Sequence, residues 1–321
     1  MAKTGAIKVA LLGAGIVGGG VARILAEKKE IYARQLGRPV ELTGALVHDL
    51  SKPRPFDAGL LTTDADQLIG NPEVDIVVEV IGGTEPARDL HLAAFERGKH
   101  VVTANKELVA KEWRQLHETA RLAKRELRFE AAVAAAVPVI AAARALGAVR
   151  PRVLSGLLNG TTTYICSRME QGADFGAALA EAQGKGYAEA DPSADVDGWD
   201  PAYKLSILVS LLDGRWFDPA MVRRASLRSV TPQQISDAAA RGNRVRYLAV
   251  ADFGERATKA RVGVEEVPAS SLEGQATGPT NVVRLDTDLT GPLTFVGAGA
   301  GGEATASAIL GDVIQIARAM R

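Results

Sequence analysis

Residues 7–18, IKVALLGAGIVG, constrain the fold of this chain more than any other stretch. Ile7–Leu12 is a short apolar run of β type that passes directly into Gly13-Ala14-Gly15-Ile16-Val17-Gly18. Behind the glycines, Val17, Val21, Ile24 and Leu25 recur at helical spacing. Strand, glycine turn and helix in that order form the first half of a βαβ unit. In such a turn Gly13 permits the tight bend, Gly15 lets the backbone approach a pyrophosphate, and Gly18 allows close helix–strand packing. The unpaired N–H groups at the start of the helix, around Ile16 and Val17, offer partners for the anion. The context predicts a dinucleotide site, with a merely tight strand-to-helix turn as the alternative.

The rest of the chain extends this pattern. Leu42–Val47 reads as a second strand and Val74–Val80, containing DIVVEV, as a fully buried third. Leu90–Arg97 has a helical pattern that Gly98 stops, His100–Thr103 gives a further strand, and Glu107–Arg125 a further helix. This alternation predicts an α/β unit with a parallel, doubly wound sheet. Beyond Pro138, Val153–Leu158, Ala249–Asp252, 261–267 and Val282–Leu285 read as strands, and Thr162–Gln171, Phe175–Gln183 and Pro201–Leu212 as helices, which makes a second unit of α+β type. Ala304–Arg321 is a helical pattern after a glycine-rich turn (Gly297, Gly299, Gly301, Gly302), of the kind that returns to a first domain. The expected division is residues 1–137, 138–300 and a terminal helix at 301–321.

Composition narrows the function classes. The 38 Lys+Arg balance 38 Asp+Glu, so no basic excess suits a nucleic-acid backbone. A lone cysteine, Cys166, excludes a disulfide framework and a cysteine-based zinc site, and the histidines His48, His91, His100 and His117 show no ligand spacing. Met1–Ala6 is short and polar, Ile7–Leu12 is too brief for an export signal, and the Ala-rich run Ala131–Ala143 is too short to span a membrane. The cytoplasm is the expected location.

Three further stretches carry chemistry. After the second strand, Asp49 suits a ribose hydroxyl and hence NAD, whereas His48, Lys52 and Arg54 suit a 2′-phosphate and hence NADP; the sequence leaves both open, with a solvated turn as the alternative. GGTEPA (Gly82–Ala87) and TANKEL (Thr103–Leu108) follow the third and fourth strands at carboxyl ends, where open α/β sheets hold ligands, and Lys106 is the candidate cation there. A lysine that is simply exposed in a first helical turn is disfavoured by the helix dipole. From Tyr187 to Lys204, five acids (Glu189, Asp191, Asp195, Asp197, Asp200) feed an apolar helix. Asp200-Pro201 reads as an N-cap and first helical residue, which puts Lys204 one turn in. A lysine beside a carboxylate and an apolar face can donate a proton, and the acids can take an ammonium group. Pro192 and the spacing do not fit a calcium loop, and a solvated acidic loop with a helix cap is the plain alternative.

The segments GAGIVGGG, DIVVEVIGG, TANKEL, LLNGTTTYI, GYAEADPSADVDGWDPAYKL and GAGAGGEATASAILGD, in this order, resemble homoserine dehydrogenases over nearly the whole chain, most specifically at 187–204. The resemblance implies a Rossmann-type nucleotide domain, an α+β substrate and dimerisation domain, and a C-terminal helix returning to the first. It implies NAD(P)-dependent interconversion of L-homoserine and L-aspartate 4-semialdehyde in threonine and methionine biosynthesis, by a homodimer acting on small molecules. Carried over, Lys204 matches the proton donor and Asp200 its carboxylate. Glu189 and Asp195 match the acids holding the amino-acid end, with Tyr187 and Thr161 beside the substrate. Lys106 matches the lysine near nicotinamide and substrate. The cofactor set becomes Gly13, Gly15, Ile16, Val17, Gly18, His48, Gly82, Gly83, Lys106 and Gly301. A monovalent cation, often sodium, corresponds to Glu130, Val133, Ala135 and Val137. Where members often carry glycines this chain reads EAAVAAAVPVI, and Thr163 stands where asparagine is usual. The chain ends before the regulatory domain of longer relatives, so threonine feedback through such a domain is not expected. A different Rossmann oxidoreductase, or a nucleotide sensor without turnover, is the rival.

Overall fold

The six residues of β1 (Ile7–Leu12) carry almost no polar side chains because both faces of the strand are covered. The computed structural model describes residues 5–54 and 57–320; Met1–Thr4, part of the polar start discussed above, and Arg321 lie outside the described residues. The chain forms two compact units, one of residues up to 136 together with those from 301 on, the other of residues 137–300.

In the first unit, β1 leads into α1 (Ile16–Glu27) and α2 (Lys29–Leu36), the latter stopped by Gly37 in the left-handed region. Then follow β2 (Val40–Leu46), β3 (Leu61–Thr62), α3 (Ala65–Ile69), β4 (Ile76–Glu79), α4 (Ala87–Glu96) and β5 (His100–Thr103). The run closes with α5 (Lys106–Lys111), α6 (Trp113–Leu122) and β6 (Leu127–Arg128). Among the described residues the strands pair in parallel in the order β3-β2-β1-β4-β5-β6, the doubly wound Rossmann arrangement. The order reverses between β1 and β4, so their carboxyl ends open the crevice in which such sheets hold ligands. The single helix expected over Glu107–Arg125 is two. The backbone leaves helical angles at Glu112, and the restart stacks Trp113 on His117 with ring centroids 4.0 Å apart, both edging onto Phe129.

In the second unit, α7 (Val139–Ala145), β7 (Pro151–Leu157), α8 (Gly160–Glu170), α9 (Phe175–Gly184), α10 (Ser193–Val196) and α11 (Trp199–Asp213) come first. They are followed by β8 (Arg223–Arg224), α12 (Pro232–Ala240), β9 (Asn243–Phe253), β10 (Thr258–Pro268), α13 (Leu272–Gln275), β11 (Thr280–Thr287) and β12 (Pro292–Ala298). The sheet order is β12-β11-β7-β9-β10-β8, antiparallel except where β8 meets β10. β9 begins six residues before the expected Ala249, because Arg244 and Arg246 interrupt its apolar pattern while Arg246 is itself fully buried. Gly297 belongs to β12 rather than to a turn; the turn starts at Gly299. Cys166 is buried in α8, where desolvation pushes its thiol up to about 12, so it is an unreactive packing group.

The last helix, α14 (Gly302–Ala319), lies in the first unit. Its Ala306, Ile309, Leu310, Val313 and Ile316 share one core with Val21, Ala22 and Leu25 of α1. The two helices approach closely at Gly20, where a Cβ would sit 3.3 Å from the Ala306 methyl. Just before the second unit, Ala134 and Ala135 adopt left-handed backbone angles, φ 55° and 42°. An L side chain there is strained, which glycine would not be. Ala135→Gly is therefore expected to stabilise the protein by about 0.5–1 kcal/mol, the relieved strain exceeding the added chain entropy. Urea unfolding midpoints of the two proteins check this.

Candidate active site

At the β1–α1 turn, Gly13 has φ 108°, and a Cβ there would come within 2.9 Å of the Val80 carbonyl oxygen. At Gly18 a Cβ would collide with the Gly13 carbonyl, at 2.1 Å, so this glycine lets the helix sit against its own turn. Around Gly15, by contrast, a Cβ would meet nothing within 4 Å. Helix α1 has no side-chain cap and no acid in its first turn, so its positive end is left to an external anion. The turn borders a groove of about 990 Å³ lined by Gly13, Gly15, Ile16, His48, Lys52 and Arg54, with Gly302 and Glu303 of α14 on its edge. These features fit a bound dinucleotide. Val17, Gly18, Gly82, Gly83, Lys106 and Gly301 are not among the groove-lining residues.

The turn after β2 separates two candidate ribose partners. Asp49 accepts from the Ser51 backbone N–H at 2.8 Å and its hydroxyl at 2.7 Å, which hold its carboxyl below the usual range. His48, Lys52 and Arg54 instead face the groove, and Arg54 braces the turn by donating to the carbonyls of Asp49 and Lys52, each at 2.9 Å.

Lys106 is the first residue of α5, directly after the N-cap Asn105, whose side chain accepts from the Leu108 N–H at 3.1 Å. The Asn105 amide donates to the Gly83 carbonyl at 2.6 Å, which ties Lys106's helix to the Gly82–Gly83 turn. Beneath both lies Glu79, fully buried at the end of β4. Burial drives its carboxyl up, but hydrogen bonds from His91, Thr103 and Gly82 outweigh that and hold it below the usual range. Nothing in the amino-acid pattern marked Glu79, since it sits inside an otherwise apolar strand.

In the second unit, Lys204 lies on α11, a helix buried along most of its length. Its Nζ donates to Asp200 Oδ2 at 2.7 Å and to the Leu158 carbonyl at 2.8 Å. Asp200 is not the helix N-cap expected above. Gly198, at φ 83°, precedes the helix, and Asp200 sits inside the first turn with its carboxylate on Lys204. Asp195 joins through a residue the sequence reading passed over. The Asn159 amide donates to Asp195 Oδ1 at 2.6 Å and to Asp200 Oδ2 at 2.9 Å, while its oxygen caps α8 at Thr162. The N-cap signature of Asn-Gly-Thr-Thr was readable; the bridge to two acids distant in sequence was not. Thr161 donates to the Tyr187 carbonyl at 2.6 Å and tethers the acidic loop. Tyr187 and Glu189 are exposed on that loop, and the Glu189 carbonyl accepts from Gln183 at 3.0 Å. Thr161, Asn159, Asp195, Asp200 and Lys204 thus share one neighbourhood, with Glu189 exposed on the loop beside them.

Of the residues assigned to a cation, Glu130, Val133 and Ala135 lie in the first unit and Val137 opens the second. Among the described residues no group of three His, Cys, Asp or Glu side chains could hold a metal, so an ion at 130–135 would rest largely on backbone carbonyls. The left-handed Ala134 and Ala135 are the observation compatible with such a backbone-built site.

Comparison with known proteins identifies the family of both units. Residues 13–130 match the NAD-binding domain model of homoserine dehydrogenase, and residues 138–314 match the homoserine dehydrogenase model. The homoserine dehydrogenase of Corynebacterium glutamicum is 42% identical over 321 residues, covering 98% of this chain and 72% of that protein. The crystal structure of a homoserine dehydrogenase from Thiobacillus denitrificans superposes with a TM-score of 0.95 at 40% identity, over 99% of this chain and 74% of that one. A hyperthermophilic archaeal homoserine dehydrogenase in complex with NADPH gives 0.82 at 26% identity, over 97% of each chain. With both units matched and a relative above two-fifths identity over 98% of this chain, this chain belongs to the homoserine dehydrogenase family, whose members are NAD(P)-dependent oxidoreductases.

Proposed function

We propose that Lys204 is the proton donor in the reduction of L-aspartate 4-semialdehyde to L-homoserine, and the acceptor in the reverse direction. The bound nicotinamide supplies or takes up the hydride at the carbonyl carbon. Lys204 Nζ gives its proton to the developing alkoxide oxygen, and Asp200, at 2.7 Å, orients the ammonium group. Asp195 and Glu189 take the substrate's ammonium end, with Thr161 and Tyr187 shaping the loop beside it. Lys106, at the start of α5 beside the Gly82–Gly83 turn, supplies a cation toward the nicotinamide. The observation that carries the reading is the buried Lys204–Asp200 pair, joined by Asn159 to Asp195. Fixed charges of this kind act by positioning and by stabilising the charge that forms.

NADP(H) is the proposed preference over NAD(H). Asp49 is engaged by Ser51, whereas Lys52 and Arg54 face the groove with the positive charge a 2′-phosphate requires, and His48 lines it beside them. Gly13, Gly15, Ile16 and Val17 would hold the pyrophosphate, Gly18 packs behind them, and Gly82, Gly83 and Gly301 flank the bound dinucleotide. Homoserine-dependent reduction of NADP⁺ and NAD⁺ by purified protein tests both readings. Lys52→Ala is expected to cost about 10-fold in kcat/KM for NADP⁺, as for a lost charged hydrogen bond, with little change for NAD⁺. Absence of turnover with either cofactor, despite nucleotide binding, would favour a sensor. A monovalent cation on the 130–135 turn, a homodimeric state and a cytoplasmic location belong to the same proposal. The zero net charge supports the absence of a nucleic-acid partner, and no described helix is long and apolar enough to cross a membrane.

A further inference from the structure

The carboxylate of Glu79 is out of reach of solvent and takes no part in the chemistry above, yet four donors converge on it. One oxygen accepts from the backbone N–H groups of Ile81 at 2.7 Å and Gly82 at 3.1 Å. The other accepts from the Thr103 hydroxyl at 2.7 Å and pairs with His91 Nε2 at 3.1 Å. Thr103 Oγ1 in turn accepts from the Asn105 N–H at 2.9 Å, and Asn105 caps α5, the helix that begins at Lys106, by accepting from the Leu108 N–H. His91 is fully buried too, and its Nδ1 has no hydrogen-bond partner among the described residues. An apolar side chain at 91 would avoid that orphaned nitrogen, so the imidazole has its use on the Glu79 side. The turn served by the first oxygen has Gly82 and Gly83 both left-handed, at φ 84° and 70°, and opens at Ile81, which lines the dinucleotide groove.

We propose that Glu79 is a positioning residue for catalysis: one oxygen fixes the 81–83 turn against the dinucleotide, and the other, through Thr103 and Asn105, fixes the start of α5 and with it Lys106. The inference rests on the assignment of Lys106 to the nicotinamide end. Its content is a division of labour, because the two branches leave from different oxygens and reach different parts of the site. Burial of a charge is otherwise costly, and a strand interior needs only an apolar side chain there.

Glu79→Gln, Thr103→Val, Thr103→Ser and Lys106→Met separate the branches, with NADPH fluorescence titration reading affinity and homoserine oxidation reading kcat. An amide at 79 cannot accept from all four donors, so Glu79→Gln is expected to raise the NADPH Kd about 10-fold and to lower kcat about 10-fold. Thr103→Val cuts only the branch to α5. It is expected to lower kcat by about 10-fold with the NADPH Kd within about two-fold, and Thr103→Ser to restore kcat. A merely structural role would lower Tm without this split. Normal kcat in Thr103→Val, or equal loss in the Ser and Val variants, overturns the α5 branch, and it does so even if Glu79→Gln fails to fold. If Lys106→Met loses turnover while Glu79→Gln and Thr103→Val keep normal kinetics, the positioning inference fails and the assignment of Lys106 stands. If Lys106→Met turns over normally, that assignment fails and the α5 branch with it. The NADPH Kd of Glu79→Gln then decides the other branch, a raised value supporting it and an unchanged one overturning it.

Discussion

Lys204→Met is expected to lower kcat for homoserine oxidation by about 100- to 10,000-fold, the span typical for loss of a positioned acid–base group, while NADPH affinity stays within about two-fold. The separation follows from the architecture. The dinucleotide groove is built in the first unit, from the β1–α1 turn and the residues after β2, whereas Lys204 stands on α11 in the second. Methionine keeps the unbranched apolar stem that α11 buries but leaves Asp200 without its ammonium partner. Asp200 is only 5% exposed, so a carboxylate that keeps the Asn159 amide but loses the ammonium will cost stability as well as activity. The double variant Lys204→Met/Asp200→Asn separates the two losses. It removes the stranded charge and is expected to recover thermal stability while turnover remains as low as in Lys204→Met. Turnover close to wild type in a folded Lys204→Met protein would remove the proton-donor assignment, since no second group could then be said to need Lys204.

The largest loss of stability is expected from Arg246→Met. The guanidinium lies fully buried on β9, donating to Glu170 on α8 and to the backbone carbonyls of Glu273 at 2.9 Å and Gly274 at 2.6 Å. It therefore links the central strand of the second sheet to the end of α8 and to the short helix α13. Truncating one partner of a buried ion pair typically costs about 3–5 kcal/mol, and although Glu170 keeps its 2.6 Å ion pair with Arg244, the two buried carbonyls lose their donor. For a domain of this size that is a fall in Tm on the order of 10 °C. Glu170 is 14% exposed at its side chain, so water relieves part of its share. The carbonyls of Glu273 and Gly274 have no such relief. Arg246→Met/Glu170→Gln should accordingly recover only part of the lost stability, and a double-mutant cycle by urea unfolding reads that fraction. Full recovery would assign the whole effect to Glu170 and none to the carbonyls.

How legible each feature was depended on how far its determinants lie from one another along the chain. The β1–α1 turn is encoded within residues 7–18, and its two steric requirements at Gly13 and Gly18 are contacts with nearby backbone or with the adjacent strand. The capped helix starts at Asn105 and Asn159 are likewise local. Charged residues in buried elements concealed others. β9 is longer than its apolar run because Arg246 is neutralised by a glutamate 76 residues earlier, and no window of local sequence contains both. Asp200 looked like a cap from its neighbour Pro201, but the helix begins before it, and its partners are Lys204 and a distant asparagine.

The sequence by itself determined the parallel α/β unit, the glycine turn between β1 and α1, and the candidate chemistry of Lys106, of Lys204 and of the acidic loop before it. These follow from periodicity, from glycine sterics and from residue types at short spacing, all of which are local properties. Only the tertiary structure decided that Asn159 joins Asp195 to Asp200, that Asp49 is engaged by Ser51 while Lys52 faces the groove, and that Glu79 underlies both turns at the carboxyl ends of β4 and β5. A buried polar group must find its partners wherever the fold brings donors and acceptors within about 3 Å, and that matching is set by the packing of elements far apart in the chain.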